Sequence, residues 1–331
     1  MTAAGASPGK HLTPENVRDE RLDVRGYDFG PYEIEEEIAR GGMGVLYRAR
    51  NRAAASDPAS KIPKEVALKV VLTRRGGLQA AADTERFIRE IRTLIPLVHP
   101  NIVRIFDAGK ENGLHFYTME LVRGESLKDF VRGRPLPLVL SLEIAHEIAG
   151  ALAALHDAGL VHRDVKPANI LLDMEASPFR PVLIDFGLIK GKFAGELTAG
   201  AGEVAGTPAY MAPEQTDASG HLGEIGPRSD LYSLGAVLYY SLARRSPFQG
   251  STAEEVIEQV RKEPPKPPSA FAPVPAAVEG IVLRCLAKRP EARYPHARAL
   301  AADLEREIRR YRRGFHFRNW YLRLRKRIFR R

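Results

Sequence analysis

The 331-residue chain has a single cysteine, a single tryptophan and only five methionines. One cysteine excludes an intramolecular disulfide framework and fits a reducing compartment, so a cytosolic location is expected. That residue, Cys285 in G-I-V-L-R-C-L-A-K, reads as a small buried hydrophobe on a helix rather than a reactive thiol. Long apolar runs are scarce as well. The longest candidate, L-Y-S-L-G-A-V-L-Y-Y-S-L-A at 231–243, falls short of the ~20 residues of a bilayer span and reads as a core helix. The opening M-T-A-A-G-A-S-P-G-K has no apolar segment of the signal-peptide kind. No internal repeat is visible, which argues against a solenoid.

Net charge is also missing from most of the chain. The total is +9, but residues 304–331 hold 12 Lys/Arg against 2 Asp/Glu, while the other 303 residues hold 38 against 39. A nucleic-acid footprint needs a basic patch in the body, so nucleic acid is not an expected partner. The basicity belongs to the tail. Residues 315–331 place Phe317, Trp320, Tyr321, Leu324 and Ile328 at helical spacing among arginines. Such a helix suits docking on the protein body first, an anionic membrane surface second and nucleic acid third.

The patterning predicts four regions. Residues 1–26 are small, polar and charged without a periodic apolar face, and are expected to be disordered. Short strands follow at 32–39, 45–49, 65–72, 101–108 and 114–122, around a loop-like insert at 51–63. A helix is expected over 83–95, with apolar positions 87, 88, 91, 94 and 95 on one face and Asp83 as cap. Beyond Gly124 the character turns helical, near 138–156, 228–243, 252–262, 276–288 and 297–313, with the Pro-rich run 263–275 as a rigid connector. The expected plan is α+β: a small β-rich lobe at 27–121, a larger helical lobe at 122–305 and a basic tail at 306–331.

Four motifs carry chemistry, and their order matters. A-R-G-G-M-G-V-L-Y (39–47) is a glycine cluster that lets backbone approach a ligand. V-A-L-K ends an apolar strand at Lys69; H-R-D-V-K-P-A-N spans 162–169; L-I-D-F-G spans 183–187. Together they supply what metal-assisted phosphoryl transfer needs, namely positioning and neutralisation of charge on oxygens. Asp185 and Asn169 offer hard oxygen ligands suited to Mg²⁺, Lys69 and Lys166 offer cations for phosphates, and Asp164 offers a carboxylate for a nucleophilic hydroxyl. Glu90 is positioned to pair with Lys69.

With these motifs the chain resembles the eukaryotic-like serine/threonine protein kinases of bacteria, over roughly residues 27–305. The resemblance implies a two-lobed kinase fold that binds ATP with Mg²⁺, Mn²⁺ being an alternative, and phosphorylates proteins. It implies that Lys69 contacts the α- and β-phosphates, that Asp164 is the catalytic base, that Lys166 steadies the γ-phosphate and that Asn169 and Asp185 hold the metal. The glycine loop of Ala39, Gly41, Gly42 and Gly44 covers the phosphates. Leu46, Ala67 and Leu171 enclose the adenine, with Met119 behind it and Glu120 to Val122 as hinge. G-T-P-A-Y-M-A-P-E (206–214) resembles the end of an activation segment, with Glu214 pairing to Arg293 and Asp230 bracing the catalytic loop. Lys166 and Thr207 mark the Ser/Thr class. Arg163 implies control by a phosphate in the activation segment, with Thr198 as the favoured acceptor.

There are departures. Ala39 replaces the first loop glycine, Leu46 the usual valine, and Arg289 a commonly acidic position. A nucleotide-binding pseudokinase and a small-molecule kinase are the competing readings. The intact set Lys69, Glu90, Asp164, Asn169 and Asp185 argues against the first, and the complete 206–214 segment argues against the second.

Overall fold

Alternating apolar side chains between residues 32 and 119 fold into one antiparallel sheet. The computed structural model describes residues 10–19, 22–41, 44–56, 61–72, 84–85, 88–133, 136–176, 179–186, 208–217 and 219–312. The chain divides into two compact units, Met1–His99 with Val103–Val122, and Pro100–Ile102 with Arg123–Arg331.

The first unit is built on β1 (Asp28–Phe29), β2 (Tyr32–Gly41), β3 (Gly44–Asn51), β4 (Glu65–Val71), β5 (Ile105–Glu111) and β6 (Leu114–Met119), in the order β1-β2-β3-β4-β6-β5. The period of two gives the sheet two faces. One face carries Val45, Tyr47, Ala49, Val66, Leu68, Val70 and Phe116, all buried in one cluster. Phe29 meets Phe116 edge-on, with ring centroids 5.2 Å apart. The opposite face takes the intervening residues, among them Leu46, Ala67, Lys69 and Met119.

Residues 10–18 correct the expectation of disorder over 1–26. They include a short helix, α1 (Pro14–Arg18), and Leu12 and Val17 are fully buried in the sheet's core cluster. Two apolar anchors five residues apart are too few to register as periodicity. The insert at 51–63 also holds a turn of helix, α2 (Ala53–Ser56), started by Asn51 Oδ1, which accepts from Ala53 N–H at 3.1 Å.

The strand expected over 101–108 splits. Only β5, from Ile105, joins the sheet. Asn101 and Ile102 go with the second unit, where Leu183 N–H donates to Asn101 O and Asn101 Nδ2 donates to Pro181 O, both at 2.9 Å. Of the expected helical face over 83–95, Ile88, Ile91 and Leu94 are buried and Ile95 is half-buried, while Asp83 and Phe87 lie outside the described residues.

The second unit has a small sheet, β7 (Gly124–Ser126), β8 (Ile170–Asp173) and β9 (Arg180–Leu183), in the order β7-β8-β9. Its helices are α3 (Leu127–Gly133), which the patterning did not suggest, α4 (Leu138–Asp157), α5 (Pro227–Ala243), α6 (Ala253–Lys262), α7 (Ala276–Cys285) and α8 (Ala297–Arg312). Among the described residues α4 is the one helix long and apolar enough to cross a membrane, which displaces the 231–243 run as the longest such stretch. Two-thirds of its apolar window is buried inside the unit, so that hydropathy belongs to the core. Helices α5 and α8 pack on it.

Helices α5 and α7 meet at a glycine. A Cβ built on Gly235 would stand 2.3 Å from Cys285 Cβ. Cys285 is itself fully enclosed, and burial pushes its thiol up to about 12. Alanine at 235 gains ~1 kcal/mol of helix propensity but overpacks the crossing by ~1–3 kcal/mol. Gly235→Ala is therefore expected to lower the melting temperature, and adding Cys285→Ala should not restore it, because the clash is with Cβ. Differential scanning calorimetry of both variants checks this.

Candidate active site

The sequence-predicted residues divide between the two units. In the β-rich unit the register sets them side by side. Ala39 lies opposite Leu46, Leu46 opposite Lys69, and Ala67 opposite Met119. Ala39 is the first paired residue after a bulge in β2, but its φ is not positive, so a Cβ is tolerated where the kinase motif has glycine. Gly44 is different: its φ is +150° and an added Cβ would stand 2.2 Å from Val70 O. Glycine there lets β3 lie against β4, a demand separate from any ligand. At Gly41 an added Cβ meets nothing within 4 Å. Gly42 lies outside the described residues.

Lys69 on β4 and Glu90 on the helical turn 88–92 are both half-buried. Glu120 N–H donates to Arg104 O at 2.9 Å, so that backbone donor is already committed within the unit. Val122 is the last residue of this unit. One apolar residue escaped the sequence reading: Ile38, bulged out of the β2–β3 register between Glu37 and Ala39 and 45% exposed.

In the helical unit the loop between α4 and β8 is organised around Asp230. This carboxylate, at the start of α5, is fully buried; it accepts from His162 N–H and Arg163 N–H at 2.8 Å each. His156 Nε2 on α4 lies 2.9 Å from its Oδ2. The two backbone bonds hold Arg163 at φ +66°, a left-handed conformation costing ~1–3 kcal/mol for such a residue. The next residues then converge. Lys166 Nζ stands 3.1 Å from Asp164 Oδ2, and Asn169 Nδ2 donates to Asp164 O and Oδ2, both at 2.9 Å.

Asn169 links this loop to the D-F-G strand end. Its carbonyl accepts from Ile184 N–H at 2.9 Å, one residue before Asp185, which is itself left-handed at φ +55°. Fully buried His162 packs on the Phe186 ring at 5.2 Å. Its Nδ1 accepts from Asp164 N–H and its Nε2 donates to Ile184 O, which describes a neutral ring; burial lowers its pKa to the same effect. Leu171, half-buried, follows on β8.

Asn169 is almost fully buried and its amide nitrogen is committed to Asp164, so Oδ1 is the atom left for a cation. With the half-buried Asp185 this makes a donor set of one amide oxygen and one carboxylate. Such hard donors fit Mg²⁺ or Mn²⁺, whose remaining positions phosphate and water would fill.

Glu214 and Arg293 form a bidentate ion pair at 2.6 and 2.8 Å, with both side chains fully buried. Arg293 also donates to the carbonyls of Ala287, Lys288 and Arg228, and Ser229 Oγ donates to Glu214. Two further site residues were not singled out by sequence. Gln215 donates to Arg163 O and accepts from Ala212 N–H, both at 2.9 Å, tying residues 208–216 to the catalytic loop. His156 is the other; it lies 74 residues from Asp230 and carries no local signature. Thr198 and Thr207 lie outside the described residues. Arg289 is exposed beside Glu291, and nothing in the structure explains the basic residue there.

The fold and these side chains define the class: an α+β protein-kinase fold whose helical unit gathers Asp164, Lys166 and Asn169 in one loop. The comparisons carry this to a family. Residues 32–304 match the protein kinase domain family, and the chain belongs to it. Serine/threonine-protein kinase PkaA of Streptomyces coelicolor is 38% identical over 278 residues, covering 82% of this chain and 49% of PkaA. Serine/threonine-protein kinase PknL of Mycobacterium tuberculosis is 34% identical over 276 residues, 83% of this chain and 65% of PknL. This chain thus spans between about half and two-thirds of these relatives. The crystal structure of the Mycobacterium tuberculosis PknI kinase domain superposes with a TM-score of 0.65 at 27% identity, covering 86% of this chain and 99% of that domain.

Removing one member of the buried Glu214–Arg293 pair strands a charge in the core, at a cost of ~3–5 kcal/mol. Arg293→Met is expected to show that loss in urea unfolding, and Arg293→Met with Glu214→Leu should recover much of it.

Proposed function

We propose that the protein is a serine/threonine protein kinase that transfers the γ-phosphoryl of ATP, with Mg²⁺, to Ser or Thr hydroxyls of proteins, itself included. The observation that carries this reading is the Asp164–Lys166–Asn169 cluster, held beside Asp185 by hydrogen bonds through Asn169. Its relatives' names as serine/threonine-protein kinases support the acceptor class.

In this reading Asp164 orients the acceptor hydroxyl and receives its proton, while Lys166 neutralises charge on the transferring phosphoryl. Asn169 Oδ1 and Asp185 would hold the metal, which when bound would neutralise charge on the phosphates. Lys69, positioned by Glu90, holds the α- and β-phosphates under Gly41, Gly42 and Gly44. Within the β-rich unit, Leu46, Ala67, Met119 and the exposed Ile38 receive the adenine, with Glu120 to Val122 as its hydrogen-bonding edge. An intact set of five catalytic and metal-binding side chains favours an active enzyme over a pseudokinase.

Control by activation-segment phosphate is supported by Arg163. Arg163 is half-buried next to Asp164, and its guanidinium is the kind of group that pairs with a phosphate, for which Thr198 is the favoured acceptor. The tail lies outside the described residues from 313 onward; its alternation of arginines with aromatics supports peripheral contact with an anionic membrane.

Labelled-phosphate transfer from ATP tests the assignment. Asp164→Asn and Lys69→Met are each expected to reduce transfer to a generic protein acceptor by ~10²-fold or more. Equal transfer by wild type and these variants would leave the pseudokinase reading standing. Thr198→Ala is expected to lower self-incorporation; unchanged incorporation and turnover rule Thr198 out as the regulatory site. For the tail, sedimentation with phosphatidylserine vesicles should depend on residues 315–331, and tail-independent binding or none removes the membrane role.

A further inference from the structure

The buried face of the β-rich sheet is closed by the chain's own N-terminal stretch, residues 10–19. Leu12 N–H donates to Asp28 O at 3.0 Å and Asp28 N–H donates to Lys10 O at 2.7 Å, which seats the stretch on β1. Asn112, at the β5–β6 turn, fastens it again through a 3.1 Å bond to Leu12 O. Leu12 and Val17 are both fully buried against the sheet. This strap is therefore part of the folded unit.

Its far end touches the strand that leads into the glycine hairpin. Arg40 Nη1 donates to Val17 O at 2.6 Å, while its Nε and Nη2 pair with Glu37 at 2.9 and 2.5 Å. The register explains how one residue connects the two sides. Arg40 lies opposite Val45 on the strap face, whereas Ala39 lies opposite Leu46 and Gly41 opposite Gly44, on the face that carries Lys69. The β2–β3 ladder is irregular between Ile34 and Glu36 and again between Glu37 and Ala39, directly before the glycines. Bulges bend a strand and interrupt its pairing, so the ladder alone holds this stretch of β2 weakly. The charge-assisted bond to the strap acts at that weak point.

We infer that Arg40 is a positioning residue for nucleotide binding, coupling the N-terminal strap to the glycine hairpin from the face opposite the ligand. The inference rests on the kinase reading of that hairpin. It predicts that loss of the Arg40–Val17 bond lowers the fraction of hairpins in the binding-competent position. Loss of the Arg40–Glu37 pair alone leaves that fraction in place.

The test is calorimetric titration of the full chain with Mg-ATP. Arg40→Met is expected to raise Kd by ~3–10-fold, the effect of a competent fraction of roughly 10–30%. Glu37→Gln, which leaves Arg40 able to reach Val17 O, should stay within about twofold of wild type. Hydrogen exchange provides a readout that general destabilisation does not mimic: amides at 38–41 and 44–46 should exchange faster in Arg40→Met, with those of α4 unchanged. In turnover, the KM for ATP should rise while the KM for the protein acceptor does not. If Arg40→Met does not fold, Arg40→Gln replaces it, with the same direction of change expected. Wild type that binds ATP alongside an Arg40 variant with unchanged Kd overturns the inference alone, as does a Glu37→Gln effect equal to that of Arg40→Met. Wild type that binds no ATP overturns the kinase reading and this inference together.

Discussion

A single buried carboxylate, Asp230, organises the loop that carries Asp164, Lys166 and Asn169. A carboxylate with no solvent exposure persists only if its lone pairs are spent on donors, and here two consecutive backbone N–H groups and a histidine take them. That arrangement requires Arg163 to adopt a left-handed backbone, and the turn it creates carries Asp164, Lys166 and Asn169 into mutual contact. Asp185 shows the same kind of strain on the strand end that Asn169 holds. Strained backbone at two charged residues is stable only because the surrounding bonds over-determine it.

A second buried ionic group secures the neighbouring segment. Arg293 spends its donors on Glu214 and on three carbonyls, so neither charge of the pair is left unsatisfied. Such a pair adds little net stability against an apolar alternative, yet it is demanding in geometry. It fixes where residues 213–216 lie, and Gln215 passes that position on to Arg163 O. The catalytic loop is thus braced by Asp230 from one side and by Gln215 from the other.

The β-rich unit solves a different problem. Its sheet presents one face to a buried cluster and another to Lys69, Leu46 and Ala67, and the alternation of side chains separates the two tasks. The N-terminal stretch closes the first face, and Arg40 is the point where that cover reaches the glycine-bearing strand. A cover on one side of a thin sheet thus reaches a strand whose other residues lie on the opposite face.

Motif spacing pointed to Asp164, Lys166 and Asn169, and the structure brings these three side chains into contact, because the local motif carries them within a few residues of one another. The helices α4, α5, α6 and α8 were legible for a similar reason: each is long enough for a repeating apolar face. Short anchors were not. Leu12 and Val17 look like isolated apolar residues in a polar stretch, and α1 is too brief to show a period. Asn101 and Ile102 read as strand, but the hydrogen bonds of Asn101 run to Pro181 and Leu183, about 80 residues away. His156, Gln215 and Arg40 likewise act through partners distant in sequence. Chain order therefore determined the family motifs and the main elements, which are local properties of spacing and period. Packing decided which carbonyl Arg40 meets, which donors satisfy Asp230 and why Gly44 and Gly235 must be glycine, since each depends on what the folded chain brings within a few ångströms.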